Sequence, residues 1–362
     1  TANKEMILKA FNKLFKTGDT RFMHQLSDEE LAAFSKKPVQ YFIPWRVVYN
    51  DSPTTPVRPV LDASTGTRKR SDGTGGRCLN DYVVKGKIES LNLVRLALGF
   101  SVGLAAVSGD LSQFYYSFKL RPQQWNLQRF LWREGLDPDS PVLEGVIGAL
   151  IYGVTCVSAQ TETAMEILAT LVEDKYPAVA EFIRKKRYVD DMSKSARFMQ
   201  ELKKLVQEAD IVFQMVGLLC KAWVYSGEDP PDNVTMVGGA VKLAGQRWKP
   251  KLDVVEIPIP GLHFGKKQRG KLADNTEIFI GTFADLDKFT PKNLNRKQVA
   301  SKMGSWYDLM GKYSPLLGGV KLDMRKTVQN TKAWTDPMPD FLRSKWLKNF
   351  WLIEQLRGLK YQ

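Results

Sequence analysis

Histidine and cysteine are scarce in this chain of 362 residues, which has two histidines, His24 and His263, and three cysteines, Cys78, Cys156 and Cys220. Two histidines poorly supply a Ser-His-Asp triad or a His-rich zinc site, so any bound metal would fall to carboxylates. An odd number of cysteines without metal-ligand spacing argues against a disulfide framework and for a reducing, cytoplasmic setting. No apolar run approaches the about 18 residues of a membrane span, and the opening TANKEMILKAFNKLF is a charged helical pattern without a signal-peptide core. The expected partners therefore include no membrane.

Negative charge is also in deficit. Lys and Arg number 53 against 39 Asp and Glu, a net charge of +14, which suits a polyanionic partner such as nucleic acid, although a basic surface also simply keeps a protein in solution. Hydrophobic residues at 43% and charged residues at 25% are ordinary for a globular protein and indicate neither disorder nor a coiled coil. The length predicts two or three subdomains.

Residues 1–37 read as short helices, with SDEELAAFSKK opened by a capping box of Ser27 and Glu30. From YFIPWRVVYN the signal turns to strand, and with the turn NDSPTTP and VRPVLDAS it predicts a hairpin. STGTRKRSDGTGGRCLND, carrying Arg68, Lys69, Arg70 and Arg77, reads as a flexible basic loop. LAAVSGDLSQFYYSFKL begins as a buried strand with Asp110 at its end, and QRFLWREG and VIGALIYGV read as two further strands. A long helical stretch from SAQTETAMEILATLV is broken or kinked at Pro177. After RYVDDM come an amphipathic helix, FMQELKKLVQEADIVFQMVG, and a strand, LLCKAWVYSG. This order predicts an α+β arrangement with helices on one face of a small antiparallel sheet, and with Asp110 and the Asp190 pair on neighbouring central strands. Residues 225–285 read as strand and turn. From TPKNLNRKQVASKMG onward the chain reads helical, with Thr290 as N-cap and Pro291 at the first helical position. Trp306, Trp334, Trp346 and Trp351 read as packing residues.

A Tyr-x-Asp-Asp string is weak evidence alone: with 12 Tyr and 23 Asp in the chain, independent composition gives roughly 0.05 chance occurrences. Its combination with Asp110 carries the chemistry. Nucleotidyl transfer by two metal ions about 3.5 to 4 Å apart needs hard oxygen ligands on rigid strands, and carboxylates from two strands supply them. The alternative is a charged β-turn at a hairpin tip for Asp190 and Asp191, and a capping role for Asp110. Adjacent residues of a strand face opposite ways, so Asp190 and Asp191 are expected to be inequivalent, one facing the metals with Asp110 and the other at the site's edge. The basic run before them, Arg184 to Arg187, reads as the end of the preceding helix, where cations complement its dipole, with a phosphate patch as the alternative.

With these residues on the page, the sequence resembles a reverse transcriptase, most closely the BEL/Pao class of long-terminal-repeat retrotransposons, from about residue 40 to 345. VRPVLDAS and CLNDYVVKG resemble the fingers segment, SGDLSQFYYSFKL motif A, RFLWRE the strand after it, and IYGVTCVSAQTETA motif B. YVDDM resembles motif C, GLLCKAWVYSG motif D, IPGLHFGKK the primer grip and NRKQVASKMGSWYDLMGKYSP the thumb segment. The resemblance implies a right-hand polymerase with fingers, a ferredoxin-like palm and a thumb. Its expected divisions are a helical lead-in (1–39), fingers (40–98), palm with motif A (99–126), fingers and palm strands (127–150), palm with motifs B, C, D and primer grip (151–265), and thumb with the start of a connection (266–362).

The resemblance also implies roles for single residues. Asp110, Asp190 and Asp191, with the Leu111 carbonyl, would hold two Mg2+ ions, with Mn2+ as substitute. Arg58, Tyr115 and Gly153 would contact the deoxynucleoside triphosphate, Tyr115 as the steric gate against a ribose 2′-hydroxyl. Lys221 would protonate the leaving pyrophosphate. Gly261, Leu262, His263 and Phe264 would form the primer grip. The partners would be an RNA or DNA template with its primer, held largely through phosphates and by shape, in the cytoplasm or in virus-like particles there; the oligomeric state is open.

The sequence departs from the family at several points. Asp51 stands seven positions before Arg58, where a second basic residue is common, so Arg46 or Arg68 to Arg70 would substitute. Tyr152 replaces a Gln before Gly153, Val157 and Ser158 replace Ser-Pro, and Leu309-Met310 replace Pro-Leu. These bear on template positioning more than on catalysis. Flanking protease, ribonuclease H and integrase regions are not evident, so the expectation is a polymerase fragment or excised domain. A domesticated, non-catalytic nucleic-acid-binding protein and an RNA-dependent RNA polymerase are the alternatives.

Overall fold

The computed structural model describes residues 2–15, 23–49, 56–66, 71–73, 75–88, 93–234, 236–237, 239–265, 267–268, 271–272, 277–357 and 359–361. Asp51 and Arg68 to Arg70 lie outside the described residues. The chain divides into two compact units, one of residues 1–92, 102–225 and 230–235, the other of 93–101, 226–229 and 236–362. Both mix helices with small antiparallel sheets, so the α+β class holds. Among the described residues no helix is long and apolar enough to cross a membrane.

The first unit opens with α1 (Ala2–Phe15), β1 (Met23–Gln25) and α2 (Asp28–Ser35). The capping box forms at α2: the Ser27 hydroxyl accepts from the Glu30 amide, and the Glu30 carboxylate accepts from the Ser27 amide. The expected hairpin is β2 (Trp45–Tyr49) with β3 (Val57–Leu61), where Val48 pairs with Arg58. Helix α3 (Leu93–Phe100) belongs to the second unit. The first then continues through β4 (Ala105–Leu111), β5 (Arg129–Arg133) and β6 (Val142–Ile147), with β1, β6 and β5 forming one sheet in that order. Next come α4 (Val157–Val172), α5 (Pro177–Lys185), β7 (Arg187–Tyr188), β8 (Asp191–Ala196), α6 (Met199–Met215) and β9 (Cys220–Tyr225). Pro177 opens α5, so the long helical stretch is broken there, because proline lacks an amide to continue the ladder but fits a first helical turn.

The central sheet runs β7-β8-β4-β9, all antiparallel. Along β4, Ala105 and Val107 pack with Leu202 and Val206 of α6, so by strand alternation Asp110 belongs to the opposite face. Gly109 is required on the helix side: a Cβ there would lie 2.4 Å from Cε3 of Trp223, whose indole donates to Asp210 of α6 at 2.9 Å. Leu111, Met192, Phe182 and Phe213 continue into one core with Ile43, Leu61 and Phe130, so the strand ends are rigidly backed. Each large apolar side chain buried this way contributes about 1.5–3 kcal/mol.

The second unit comprises α3, β10 (Met236–Val237), β11 (Ala240–Leu243), β12 (Gln246–Lys249), β13 (Val254–Glu256) and the short β14 (Lys267–Gln268) and β15 (Lys271–Leu272). Then follow α7 (Phe283–Phe289), α8 (Arg296–Ser305), α9 (Ser314–Asn330), α10 (Asp340–Gln355) and β16 (Lys360–Tyr361), which joins β13 at the sheet edge. The expected helix start at Thr290 is corrected: Thr290 caps the end of α7, and α8 begins at Arg296 behind a capping box of Asn295 and Gln298. The Asn-x-x-Gln pair satisfies both orphan amides, which Thr290-Pro291 cannot do. Trp306 and Trp346 lie in the helical core with Leu262 and Phe350, and Trp351 packs against it. Trp334 is exposed, with the Arg296 guanidinium over its ring at 5.5 Å.

Candidate active site

Asp110 is the penultimate residue of β4, and its register partner is Asp191, the first residue of β8. Between β7 and β8 the chain turns through only Val189 and Asp190, since Tyr188 pairs with Asp191. Val189 takes φ of 58°, a left-handed conformation that a β-branched residue adopts at a cost. The Asp190 carbonyl accepts from the Leu111 amide at 2.9 Å, tying the turn to the end of β4.

This geometry corrects the expectation that Asp190 and Asp191 face opposite ways. Each of Asp110, Asp190 and Asp191 offers a carboxylate oxygen within 4.8 Å of the other two. Strand alternation does not apply across the pair because Asp190 is a turn residue, and the positive φ before it re-aims its side chain. The hairpin-tip alternative thus describes the Asp190 backbone, while its carboxylate still joins the cluster.

Asp110 is exposed at the strand end, yet desolvation by the surrounding protein and the neighbouring Asp190 push its carboxyl up to about 6, while Lys221 and Arg58 pull against that rise. Burial likewise raises Asp190, opposed by its own backbone amide and by Arg187. Crowded carboxylates disfavoured as anions are what a divalent cation relieves, and the all-oxygen donor set suits Mg2+ or Mn2+. The residues present fit such an ion.

The surroundings are aromatic. Tyr115 is buried in the 3-10 turn Phe114–Ser117, its hydroxyl 3.4 Å from that of Ser158 on α4. Its ring meets Tyr152 edge-on at 4.5 Å, and Tyr116 lies 6.0 Å from Tyr152. The Tyr152 phenol is pushed up by burial and then by Asp190, with Tyr116, Tyr115 and Asp110 adding to it. Gly153, at φ 95°, follows it; its carbonyl accepts from the Asn80 amide group at 2.8 Å, and the Asn80 oxygen accepts from the Thr155 amide at 3.0 Å.

Arg58 and Lys221 are placed by β3 and β9, and the Lys221 carbonyl accepts from Asn233 at 2.8 Å. Arg46 is engaged with Asp62, Nε to Oδ2 3.1 Å. Leu111 pairs with Cys220 where β4 bulges against β9. The primer-grip candidates lie in the second unit: Leu262 and His263 are buried, with His263 Nε2 3.3 Å from Lys302 Nζ, and the Leu262 amide donates to Glu354 at 3.1 Å. Gly261 and Phe264 are half-buried, so Leu262 and His263 present little side chain to any ligand.

The basic run divides. Arg184 and Lys185 occupy the last turn of α5 as expected, and Arg184 pairs with Glu166 and Glu173. Arg187 does not end the helix: it is a strand residue, buried, and its guanidinium grips Glu162. Asn80 and Arg187 are the site-supporting residues that sequence reasoning missed, and in each case the partner is distant in sequence.

Residues 295–360 match the family model described as Pao retrotransposon-like RNaseH-like domain. No curated protein matches the chain. The matched segment spans α8, α9 and α10 and reaches β16, all in the second unit, whereas the acidic cluster lies in the first. In that segment the chain is similar to Pao-type retrotransposon proteins.

Proposed function

We propose that the chain is a reverse transcriptase with a right-hand polymerase fold, joining a deoxynucleotide to a primer 3′-hydroxyl on an RNA or DNA template. The observation that carries this reading is the convergence of Asp110, Asp190 and Asp191 at adjoining strand ends, on the sheet face turned away from α6. The palm reading is supported by the four-stranded antiparallel order β7-β8-β4-β9 with α6 packed behind it.

Bound Mg2+ would lower the pKa of the primer hydroxyl and offset charge on the triphosphate. Asp110, Asp190 and Asp191, with the Leu111 carbonyl, would hold it. The primer 3′-hydroxyl would lose its proton to solvent, and its oxygen would attack the α-phosphorus as the bond to pyrophosphate breaks. Arg58 would bind phosphate oxygens, Lys221 would give a proton to the departing pyrophosphate, and Tyr115 would exclude a 2′-hydroxyl beside Gly153. In the second unit, primer contact by Gly261 and Phe264 rests on the resemblance alone, and Leu262 and His263 would act through their backbone.

The description of the matched family raises a second reading, metal-assisted hydrolysis of RNA by residues 295–360. Such hydrolysis needs converging carboxylates. Among the described residues the one such cluster is Asp110, Asp190 and Asp191, outside that segment. The test is extension of a DNA primer on an RNA template with Mg2+, comparing deoxynucleotides with ribonucleotides. Deoxynucleotide addition supports the proposal; ribonucleotide addition alone, or cleavage of the RNA without extension, contradicts it.

A further inference from the structure

We propose that Arg187 is a positioning residue for the metal-holding turn, clamped between Glu162 of α4 and the strained Val189. The inference rests on the metal-site reading of Asp110, Asp190 and Asp191. Arg187 Nη1 donates to the Val189 carbonyl at 2.7 Å and to Glu162 Oε1 at 3.1 Å, and Nη2 donates to Glu162 Oε2 at 2.6 Å. The arginine side chain is 4% exposed and its guanidinium lies 5.8 Å from the Phe114 ring, four residues beyond Asp110. One cation therefore ties together the helix α4, the segment after Asp110 and the turn that carries Asp190.

The strain explains why the turn needs this. Val189 at φ 58° would relax if only the short β7–β8 ladder held it, because nothing in a valine favours that conformation. The hydrogen bond to the Val189 carbonyl fixes the peptide joining Val189 to Asp190, and so the direction in which the Asp190 carboxylate leaves the turn. The forked pairing with Glu162 fixes the guanidinium in turn, which a lysine cannot reproduce. Arg187 touches neither nucleotide nor ion in this scheme; it acts through Asp190.

The test uses the full chain and two separate readouts: Mn2+ binding by electron paramagnetic resonance without nucleotide, and the Mg2+ dependence of primer extension. Arg187→Met is expected to weaken Mn2+ binding and raise the half-saturating Mg2+ by about 10–100-fold, the usual effect of losing an outer-sphere support. The KM for deoxynucleotide stays near that of the wild type, and Arg187→Lys recovers only part of the loss. A folded Arg187→Met protein with wild-type Mn2+ binding overturns the proposal. If that variant fails to fold, Glu162→Gln, which keeps the side-chain shape, decides by the same readout: unchanged Mn2+ binding overturns it. A wild-type chain that binds Mn2+ through Asp190 yet extends no primer would sink the polymerase reading and leave this inference standing. One that binds no Mn2+ would sink both.

Discussion

Asp110 on β4 and Asp191 on β8 are direct partners across an antiparallel ladder, so two candidate metal ligands hang from one rigid pair of strands. Opposed like charges destabilise a strand pair, and a bound divalent cation would offset that cost.

The Asp110 carboxyl is raised to about 6 in the folded chain from its ordinary value of 3.8. Its stabilising contribution is therefore full below pH 3.8 and is lost as pH rises through 6, because the folded state binds the proton more tightly than the unfolded one. Added Mg2+ should raise the melting temperature more at pH 7.5 than at pH 5, and in Asp110→Asn this difference should shrink. Differential scanning fluorimetry measures it; an equal shift at both pH values contradicts the assignment.

Tyr115 is expected to select the sugar. Its ring is packed on Tyr152 and its hydroxyl lies by Ser158, so the aromatic edge is held in place. Replacing it with Val or Ala should admit ribonucleotides, lowering the ratio of deoxy- to ribonucleotide kcat/KM by at least tenfold, about 1.4 kcal/mol of discrimination. Competing nucleotides in single-addition assays read this ratio; an unchanged ratio removes the gate role.

Asn80 holds the Gly153 loop by two hydrogen bonds. Asn80→Ala should cost about 1–2 kcal/mol of stability. It should also raise the KM for deoxynucleotide more than it lowers kcat, since the loop contributes binding and not the reacting carboxylates. Urea unfolding together with steady-state kinetics would show both effects.

Much of the first unit could be read from the chain itself. β-branched and aromatic runs mark β2, β3 and β5, apolar spacing marks α4 and α6, and Ser27 with Glu30 marks the start of α2, whereas the strand read at VIGALIYGV lies earlier in the chain, as β6. Asp110 with Asp190 and Asp191 stood out because carboxylates at apolar strand ends are costly unless used. What the sequence did not reveal depends on contacts between distant residues or on unsignalled backbone geometry. Val189 carries none of the Gly or Asn signals of a positive φ, so the orientation of Asp190 was misjudged. Arg187 lies 25 residues from Glu162, and Asn80 lies 73 from Gly153; neither pairing has a local pattern. Thr290-Pro291 has the form of a helix opening because proline fits a first turn, but α8 starts behind the Asn295 to Gln298 box.

The central claim is that the carboxylate cluster performs template-directed nucleotide addition. The most direct measurement is primer extension on an RNA template by Asp190→Asn alongside primer-template binding by the same protein. The prediction is loss of extension with binding nearly intact, because the substitution removes a metal ligand and leaves the basic surface unchanged. Extension at the wild-type rate by Asp190→Asn would contradict the account.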